Sequence, residues 1–206
     1  MKTLIKTISC ILLVASIASC KKEETPAIVT PPTPSHESNS MMMEIHKMMN
    51  MMDTMDMSGD PDHHFAKMMK MHHMGAIDMS NIVIAHGTDT TIRRIAQNMI
   101  MKQNMEITDL TSFLNSHTPH GENMEFNMKM EKSMQKMHNN ADLQSVNGNT
   151  DHDFASLIIF HHQSAIEMAD FVIHYGHEVS IKNMAEMMIE DQEMEIEELQ
   201  NWLLNN

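Results

Sequence analysis

Apolar side chains recur every three or four residues along two long stretches of the chain. In the first stretch they form a single stripe that includes one histidine: Phe65, Met68, His72, Ala76, Met79 and Val83. A second stripe has the same spacing: Phe154, Leu157, His161, Ala165, Met168 and Val172. This spacing is the period of an amphipathic α-helix. Gly87 and Gly176 follow the two stripes, where glycine commonly ends a helix.

The chain repeats itself with an offset of 89 residues. Residues 62–114 align without a gap to residues 151–203, and 22 of the 53 aligned pairs are identical. Each copy contains two helical stripes joined by a short turn, which makes the two helices antiparallel. The sequence therefore predicts an all-α fold, a four-helix bundle made from a duplicated helical hairpin. Additional Met-rich helices are predicted near 41–57 and 124–138.

The N-terminal residues predict export and attachment to lipid. A positively charged start and a short apolar run precede the motif IASC at residues 17–20, which resembles a bacterial lipobox. We expect a lipoprotein signal peptide over 1–19, a lipidated Cys20 and a disordered tether over 20–40, rich in Pro, Ser and Thr. An ordinary secretory signal is the alternative. We expect the folded domain to follow over 41–206, in repeat halves of about 41–117 and 124–206.

Composition favours a soft metal ion as the partner. The chain has 28 Met and 15 His among 206 residues, and its two Cys lie at or before residue 20. Thioether sulfur and imidazole together select Cu(I) over harder ions. Loss of residues 1–19 would leave 12 basic and 28 acidic side chains, a formal charge of −16. Such a surface attracts cations and repels nucleic acid, so we expect copper ions and no nucleic acid as partners.

Two His-His pairs occur at equivalent positions of the repeat, and methionines stand beside them. On a helix, a Met three or four residues before a His lies on the same side. Two interpretations are open: the pairs bind metal with nearby Met, or one His of each is a hydrogen-bonded core residue and the other is solvated. The Met two turns later are either core residues or ligands. The candidate metal ligands of the two hairpins are Met69, His72, His73, Met79, His161, His162 and Met168.

The segment 41–57 contains nine Met, distributed around the whole circumference of the predicted helix. One buried face would not need them all, so we expect exposed thioethers for copper capture or for scavenging of oxidants. We also expect the bundle to fold without this segment. The candidate copper ligands here are Met42, His46 and Met49.

The second helix of each hairpin has polar residues on its apolar stripe. Gln103 and Glu106 in the first copy match Gln192 and Glu195 in the second. Burial of such side chains requires hydrogen-bond partners. We expect an internal polar network, either with two aspartates at the start of the hairpins or with the inner histidines.

The repeated pattern D-x-x-F, HH-x-x-A-I-(D/E)-M and I-x-x-Q-x-x-E-I resembles the DUF305 family over about residues 41–206. The resemblance implies an exported, ferritin-like four-helix protein that binds copper through Met and His, as characterised members do. The second copy departs from the Met-rich pattern of the first. Leu157, Ile158 and Phe160 stand where the first copy has Met68, Met69 and Met71, so the first copy is better supplied with sulfur ligands.

These observations together predict a copper-binding lipoprotein of the bacterial cell envelope, anchored to the outer membrane on its periplasmic or surface face. We expect it to sequester or transfer copper, mainly Cu(I), and to contribute to copper tolerance, with copper efflux or chaperone proteins as further partners. One alternative is a ferritin-like metal oxidase. A di-iron bundle would need E-x-x-H on two helices, which the four predicted helices lack, so only a copper oxidase stays open. The other alternative is a methionine-based oxidant sink.

Overall fold

The helical periodicity of the sequence is realised in six α-helices. A computed structural model of the protein describes residues 36–55 and 59–206. Its helices are α1 (Ser40–Asp53), α2 (Pro61–His86), α3 (Thr90–Ser116), α4 (Met124–Asp142), α5 (Thr150–Tyr175) and α6 (Val179–Asn205). These residues contain no β-strand, so the predicted all-α class is confirmed. The predicted signal peptide, Cys20 and the tether before residue 36 lie outside the described residues.

The internal repeat sets the arrangement of the helices. The bounds of α2 and α5, and of α3 and α6, differ by 89 residues at both ends, and α1 and α4 end 89 residues apart. α2 and α5 contact each other at the centre. α3 and α1 contact α2, and α6 and α4 contact α5, while α1 and α4 also touch. The predicted pair of hairpins is therefore present, and the Met-rich helices pack against its central pair.

The folded part begins slightly earlier than residue 41. A short 3-10 helix spans His36–Ser38, and Asn39 then caps α1 by accepting hydrogen bonds from the backbone N–H groups of Met41 and Met42. The Asn39 amide also donates to Oδ2 of Asp153 at 2.7 Å. Residues 36–40 are therefore ordered, in contrast to the disordered tether predicted up to residue 40.

The methionines of α1 are mostly core residues. Five of its Met are buried, namely Met41, Met42, Met48, Met49 and Met52, whereas Met43 is 55% exposed. The expectation of mainly exposed thioethers is wrong because α1 contacts α2, α4 and α5, so it buries more than one face. For the same reason, removal of residues 41–57 would open the core and would not leave the bundle intact.

Two buried aspartates join the halves, because each accepts hydrogen bonds from the turn just before the other half's second helix. Asp62, at the start of α2, accepts hydrogen bonds from the backbone N–H groups of His177 (2.7 Å) and Glu178 (3.2 Å), just before α6. Asp151, at the start of α5, accepts from the N–H groups of Thr88 (2.8 Å) and Asp89 (3.0 Å), before α3. The two aspartates are therefore not the partners of the internal glutamates.

The glycines that end α2 and α5 are required by the same contacts. Gly87 and Gly176 have φ values of −67° and −71°, so neither adopts the left-handed conformation of a typical C-terminal glycine. A Cβ atom on Gly87 would lie 2.6 Å from Oδ1 of Asp151, and one on Gly176 would lie 2.5 Å from Oδ1 of Asp62. Glycine at these positions allows the carboxylates to approach the backbone.

Candidate functional site

The two His-His pairs meet at the centre of the molecule, between α2 and α5. His72 and His161 lie with their ring centroids 3.6 Å apart. Nε2 of His161 donates to the backbone carbonyl of His72 at 3.0 Å. Nε2 of His72 donates to Oγ of Ser164 at 2.8 Å, and that hydroxyl donates to the carbonyl of His161. Burial, with the neighbouring histidines adding to it, lowers the pKa of both rings well below the ordinary value.

The second histidine of each pair contacts a glutamate on the neighbouring helix. Nε2 of His162 lies 2.7 Å from Oε2 of Glu195 with hydrogen-bond geometry. Nε2 of His73 lies 2.8 Å from Oε2 of Glu106, but the N–H is not aligned for a hydrogen bond. The internal glutamates therefore face histidines, one of the two alternatives that the sequence left open.

The central histidines are buried, and the Nδ1 atom of each has no hydrogen-bond partner among the described residues. His72, His73, His161 and His162 are at most 1% exposed. Nε2 is hydrogen-bonded within the core in His72, His161 and His162, whereas Nε2 of His73 lacks hydrogen-bond geometry. Among residues 36–55 and 59–206, groups of three metal-ligating His or carboxylate side chains occur at two other places, and this cluster is not one of them. The structure also buries three predicted ligands completely: Met69, Met79 and Met168.

A cavity lined by methionine lies between α1, α2 and α4. Its volume is about 250 Å³, and five of its ten lining residues are methionines. The lining residues are Met49, Met52, Asp53, Met55, His64, Met68, Asn127, Glu131, Met134 and Gln135. Thioethers on flexible side chains can adjust to a bound group, and they are soft ligands. Of the ligands predicted from the sequence, the structure places Met49 here.

His64 is the nitrogen donor of this cavity. The residue is 2% exposed, and its ring packs edge-on against Phe126. Nδ1 donates to Oδ1 of Asn127 at 2.7 Å, whereas the buried Nε2 has no hydrogen-bond partner among the residues that the structure describes. Burial lowers the pKa of His64, although the hydrogen bond to Asn127 opposes it. The ring is therefore neutral at pH 7, and Nε2 has a free lone pair suited to a metal ion.

A second groove, of about 440 Å³, adjoins the cavity where α1 and α4 meet. Met49, Asp53 and Gln135 line both spaces. In the groove, Nε2 of His46 lies 3.0 Å from Oδ1 of Asp142, and Nε2 of His138 lies 3.4 Å from its Oδ2. These three side chains form one of the two groups able to hold a metal ion among the described residues. The predicted ligand His46 is thus placed at the outer side of the methionine cavity.

The internal repeat shows that three lining residues of the cavity from the first half have no equivalent in the second half. Positions 89 residues after His64, Met68 and Met52 are occupied by Asp153, Leu157 and Ala141. Asp153 is used structurally, since its carboxylate accepts hydrogen bonds from Asn39 and from the backbone of residues 147 and 148. The replacement of Met68 by Leu157 was visible in the sequence. His64 was missed because its partner, Asn127, is 63 residues away and its period matches neither stripe.

Two solved structures have a similar fold. A DUF305 protein of Streptomyces coelicolor that is described as secreted is 22% identical, with a TM-score of 0.57 over 72% of this chain and 93% of that one. A DUF305 fragment from Deinococcus radiodurans is 19% identical, with a TM-score of 0.53 over 71% of this chain and 97% of that one. At these identities the likeness shows the shared fold. No curated protein matches the sequence.

Within the described part of the chain, no helix is both long enough and apolar enough to span a membrane. The family model described as "Domain of unknown function (DUF305)" matches residues 62–203, which run from the start of α2 to the last turn of α6. The match covers more than half of the sequence, and the duplicated helical hairpin agrees with it. This chain therefore belongs to the DUF305 family.

Proposed function

We propose that the protein binds copper, mainly as Cu(I), in the methionine cavity between α1, α2 and α4. One observation carries the proposal: a buried, neutral imidazole with a free Nε2 shares a 250 Å³ cavity with five methionines. Soft sulfur and imidazole ligands favour Cu(I), and a site without thiolate suits an oxidising compartment because thioethers do not form disulfides.

The surroundings of the cavity support uptake and release of an ion. The adjoining groove offers His46, His138 and Asp142, which are partly exposed and have nitrogen and oxygen donors. Such donors accept Cu(II) as well as other divalent ions, whereas the inner sulfur donors prefer Cu(I). The arrangement favours sequestration or transfer of copper over catalysis. A copper oxidase stays the enzymatic alternative, and reaction rates of Cu(I) with oxygen in the presence of the protein would distinguish the two.

The cavity is tested by Cu(I) titration without oxygen, in competition with a chromogenic chelator. Met68→Leu copies the residue of the second half and conserves volume, so packing changes little. His64→Gln removes the nitrogen donor. Each change should weaken Cu(I) binding by about tenfold or more. Met79→Leu and His161→Gln, both in the core away from the cavity lining, are the matched controls and should retain the affinity.

Two results of this titration would contradict the proposal. If folded Met68→Leu and His64→Gln proteins bind Cu(I) as tightly as the two controls, the cavity is not the copper site. If only His161→Gln weakens binding, the central histidines are the ligands. Zn(II) at equal concentration should not displace Cu(I), because Zn(II) prefers thiolate, imidazole or carboxylate to thioether.

We further propose that the protein is a lipoprotein of the cell envelope, anchored at Cys20. The lipobox-like motif at residues 17–20 supports this. Cys20→Ser should move the protein from the membrane fraction to the soluble fraction. A wild-type protein that is already soluble and has an unmodified N-terminus would contradict the anchor without affecting the copper site.

Exposed methionines favour a second function, the scavenging of oxidants. Among residues 36–55 and 59–206, eight Met side chains are at least 40% exposed: Met43, Met74, Met101, Met105, Met124, Met128, Met187 and Met194. Exposed thioethers are oxidised to sulfoxides that reductases restore. Peroxide treatment followed by mass spectrometry should oxidise these eight before the cavity methionines. Equal rates at all Met would contradict selective exposure, and an unchanged peroxide tolerance of cells lacking the protein would contradict the function.

A further inference from the structure

A second group of possible metal ligands lies outside the methionine cavity, where the connection between α3 and α4 meets the connection between α5 and α6. His117 follows α3, His120 belongs to the connector between α3 and α4, and Glu178 stands just before α6. One ligand atom from each lies within 4.8 Å of the other two. The set contains two imidazoles and one carboxylate and has no sulfur.

The separations fit ligands of one ion better than hydrogen bonds. Nε2 of His120 lies 3.5 Å from Oε1 of Glu178, and Nδ1 of His117 lies 3.8 Å from the same oxygen. A charged hydrogen bond would be about 2.7–2.9 Å long. Two ligand atoms on a tetrahedral ion, each about 2.0–2.1 Å from the metal, are roughly 3.3 Å apart. The observed spacing is close to that value.

The other nitrogen of His117 faces a carboxylate. Nε2 of His117 lies 3.6 Å from Oδ1 of Asp60, which is fully buried, and the His117 side chain is 7% exposed. This nitrogen has no hydrogen-bond partner in the described structure. Metal-bound histidines commonly donate their second N–H to a carboxylate, which fixes the ring orientation. At 3.6 Å the pair is not hydrogen-bonded, so Asp60 would take that role only on a closer approach to the ring.

Glu178 also departs from the internal repeat. Asp89 stands at the equivalent position of the first half and caps α3 by accepting hydrogen bonds from the N–H groups of Thr91 and Ile92. The side chain of Glu178 makes no such hydrogen bond to α6 and instead faces His117 and His120. Helix capping therefore does not account for the position of this carboxylate.

The connector that carries His120 is held in place by the start of α2. The backbone N–H of His120 donates to Oδ2 of Asp60 at 2.9 Å, and that of Asn123 donates to the carbonyl of Gly59 at 2.8 Å. Gly59 has φ of +77°, and a Cβ there would lie 2.6 Å from Cγ of Glu122. The backbone that carries His120 is thus fixed before any ion arrives, which favours binding.

We propose that His117, His120 and Glu178 bind a borderline divalent cation of the Zn(II) or Cu(II) class, with water or substrate free to take the fourth position. Two His and one Glu are ligands that such ions accept, and their harder donors discriminate against Cu(I). The ion would join the end of α3 to the start of α6 and so connect the two halves. This site is independent of the methionine cavity.

The test uses Co(II) as a spectroscopic substitute for Zn(II), with Zn(II) added afterwards as competitor. The purified protein should bind Co(II) with the visible absorption of a four- or five-coordinate ion, and Zn(II) should abolish that absorption. Glu178→Gln, which conserves shape, and His120→Ala, at a 60% exposed side chain, should each weaken binding by about tenfold or more. His86→Ala, at an exposed histidine at the end of α2, is the matched control.

Two further variants separate this site from others. His46→Ala removes a ligand of the groove between α1 and α4, and the Co(II) absorption should persist. Glu178→Gln should leave Cu(I) affinity unchanged, because the methionine cavity does not contain Glu178. Zn(II) should also raise the melting temperature of the wild-type protein and not that of Glu178→Gln. The proposal is overturned if Co(II) does not bind saturably, or if Glu178→Gln and His120→Ala bind it like His86→Ala.

Discussion

The hydrogen bonds of Asp62 and Asp151 to the turns of the opposite half lead to a quantitative prediction about stability. Oδ2 of Asp151 accepts three hydrogen bonds, from the N–H and hydroxyl of Thr88 and from the N–H of Asp89, at 2.8–3.0 Å. Asp151 is 4% exposed. Asp151→Ala would leave these donors without their acceptor in the turn before α3, where Thr88 is exposed and Asp89 is half-buried. A hydrogen bond to a charged group contributes about 1.5–3 kcal/mol, and partial access of water reduces the sum. We therefore expect a loss of about 3–5 kcal/mol.

Related variants separate the causes of this loss. Asp151→Asn retains an oxygen acceptor and removes the charge, so it should cost less than half as much. Asp62→Ala removes an acceptor of two backbone N–H groups and should cost about 2–4 kcal/mol. Thr88→Val tests the hydroxyl alone and should cost about 1 kcal/mol.

Thermal unfolding followed by circular dichroism provides the measurement. For a domain of this size, each kcal/mol lowers the melting temperature by about 2–4 °C, so Asp151→Ala should melt roughly 6–20 °C lower. Urea unfolding gives the free energy directly. If the unfolding free energy of Asp151→Ala lies within about 0.5 kcal/mol of the wild-type value, the hydrogen bonds of Asp151 do not hold the halves together and the reasoning fails.

Three more predictions concern the core. Because burial lowers the pKa of His72 and His161, the unfolded chain binds more protons than the folded chain below about pH 6.5. Stability should therefore be complete above that pH and fall beneath it, by on the order of 1 kcal/mol per pH unit for each histidine. An unfolding free energy that stays constant from pH 7.5 to 5 would contradict this. Gly75→Ala places a Cβ 2.6 Å from Sδ of buried Met48 and should cost about 1–3 kcal/mol. The same change should cost less when it is made in a Met48→Ala background, where this clash is absent; an equal cost in both backgrounds would mean that α1 is not the element displaced. Glu195→Gln should lower the unfolding free energy by about 1–3 kcal/mol. The loss should exceed that of Glu106→Gln, because His162 has hydrogen-bond geometry to its glutamate and His73 does not. Equal losses would argue against a role for that geometry.

The sequence by itself determined the helices and the repeat. Helical stripes depend on local spacing, and an 89-residue offset with identical residues at 22 of 53 positions requires equivalent helices in both halves. The excess of sulfur ligands in the first half could also be predicted from the sequence, because it is a difference in composition between aligned positions. Leu157 in place of Met68 is one such difference.

Tertiary structure decided which methionines are buried and which polar residues meet. Spacing along α1 could not reveal that it is enclosed by α2, α4 and α5, so its Met looked exposed. The sequence did not reveal the hydrogen-bond partner of His72, because a helical stripe gives direction and not the residue opposite, which is Ser164 in the other half. Nε2 of His64 is left as the acceptor because Nδ1 donates to Asn127 of α4. Asp151 contacts Thr88 only when the two halves pack together. Such contacts join residues more than 60 positions apart, and local periodicity contains no information about them.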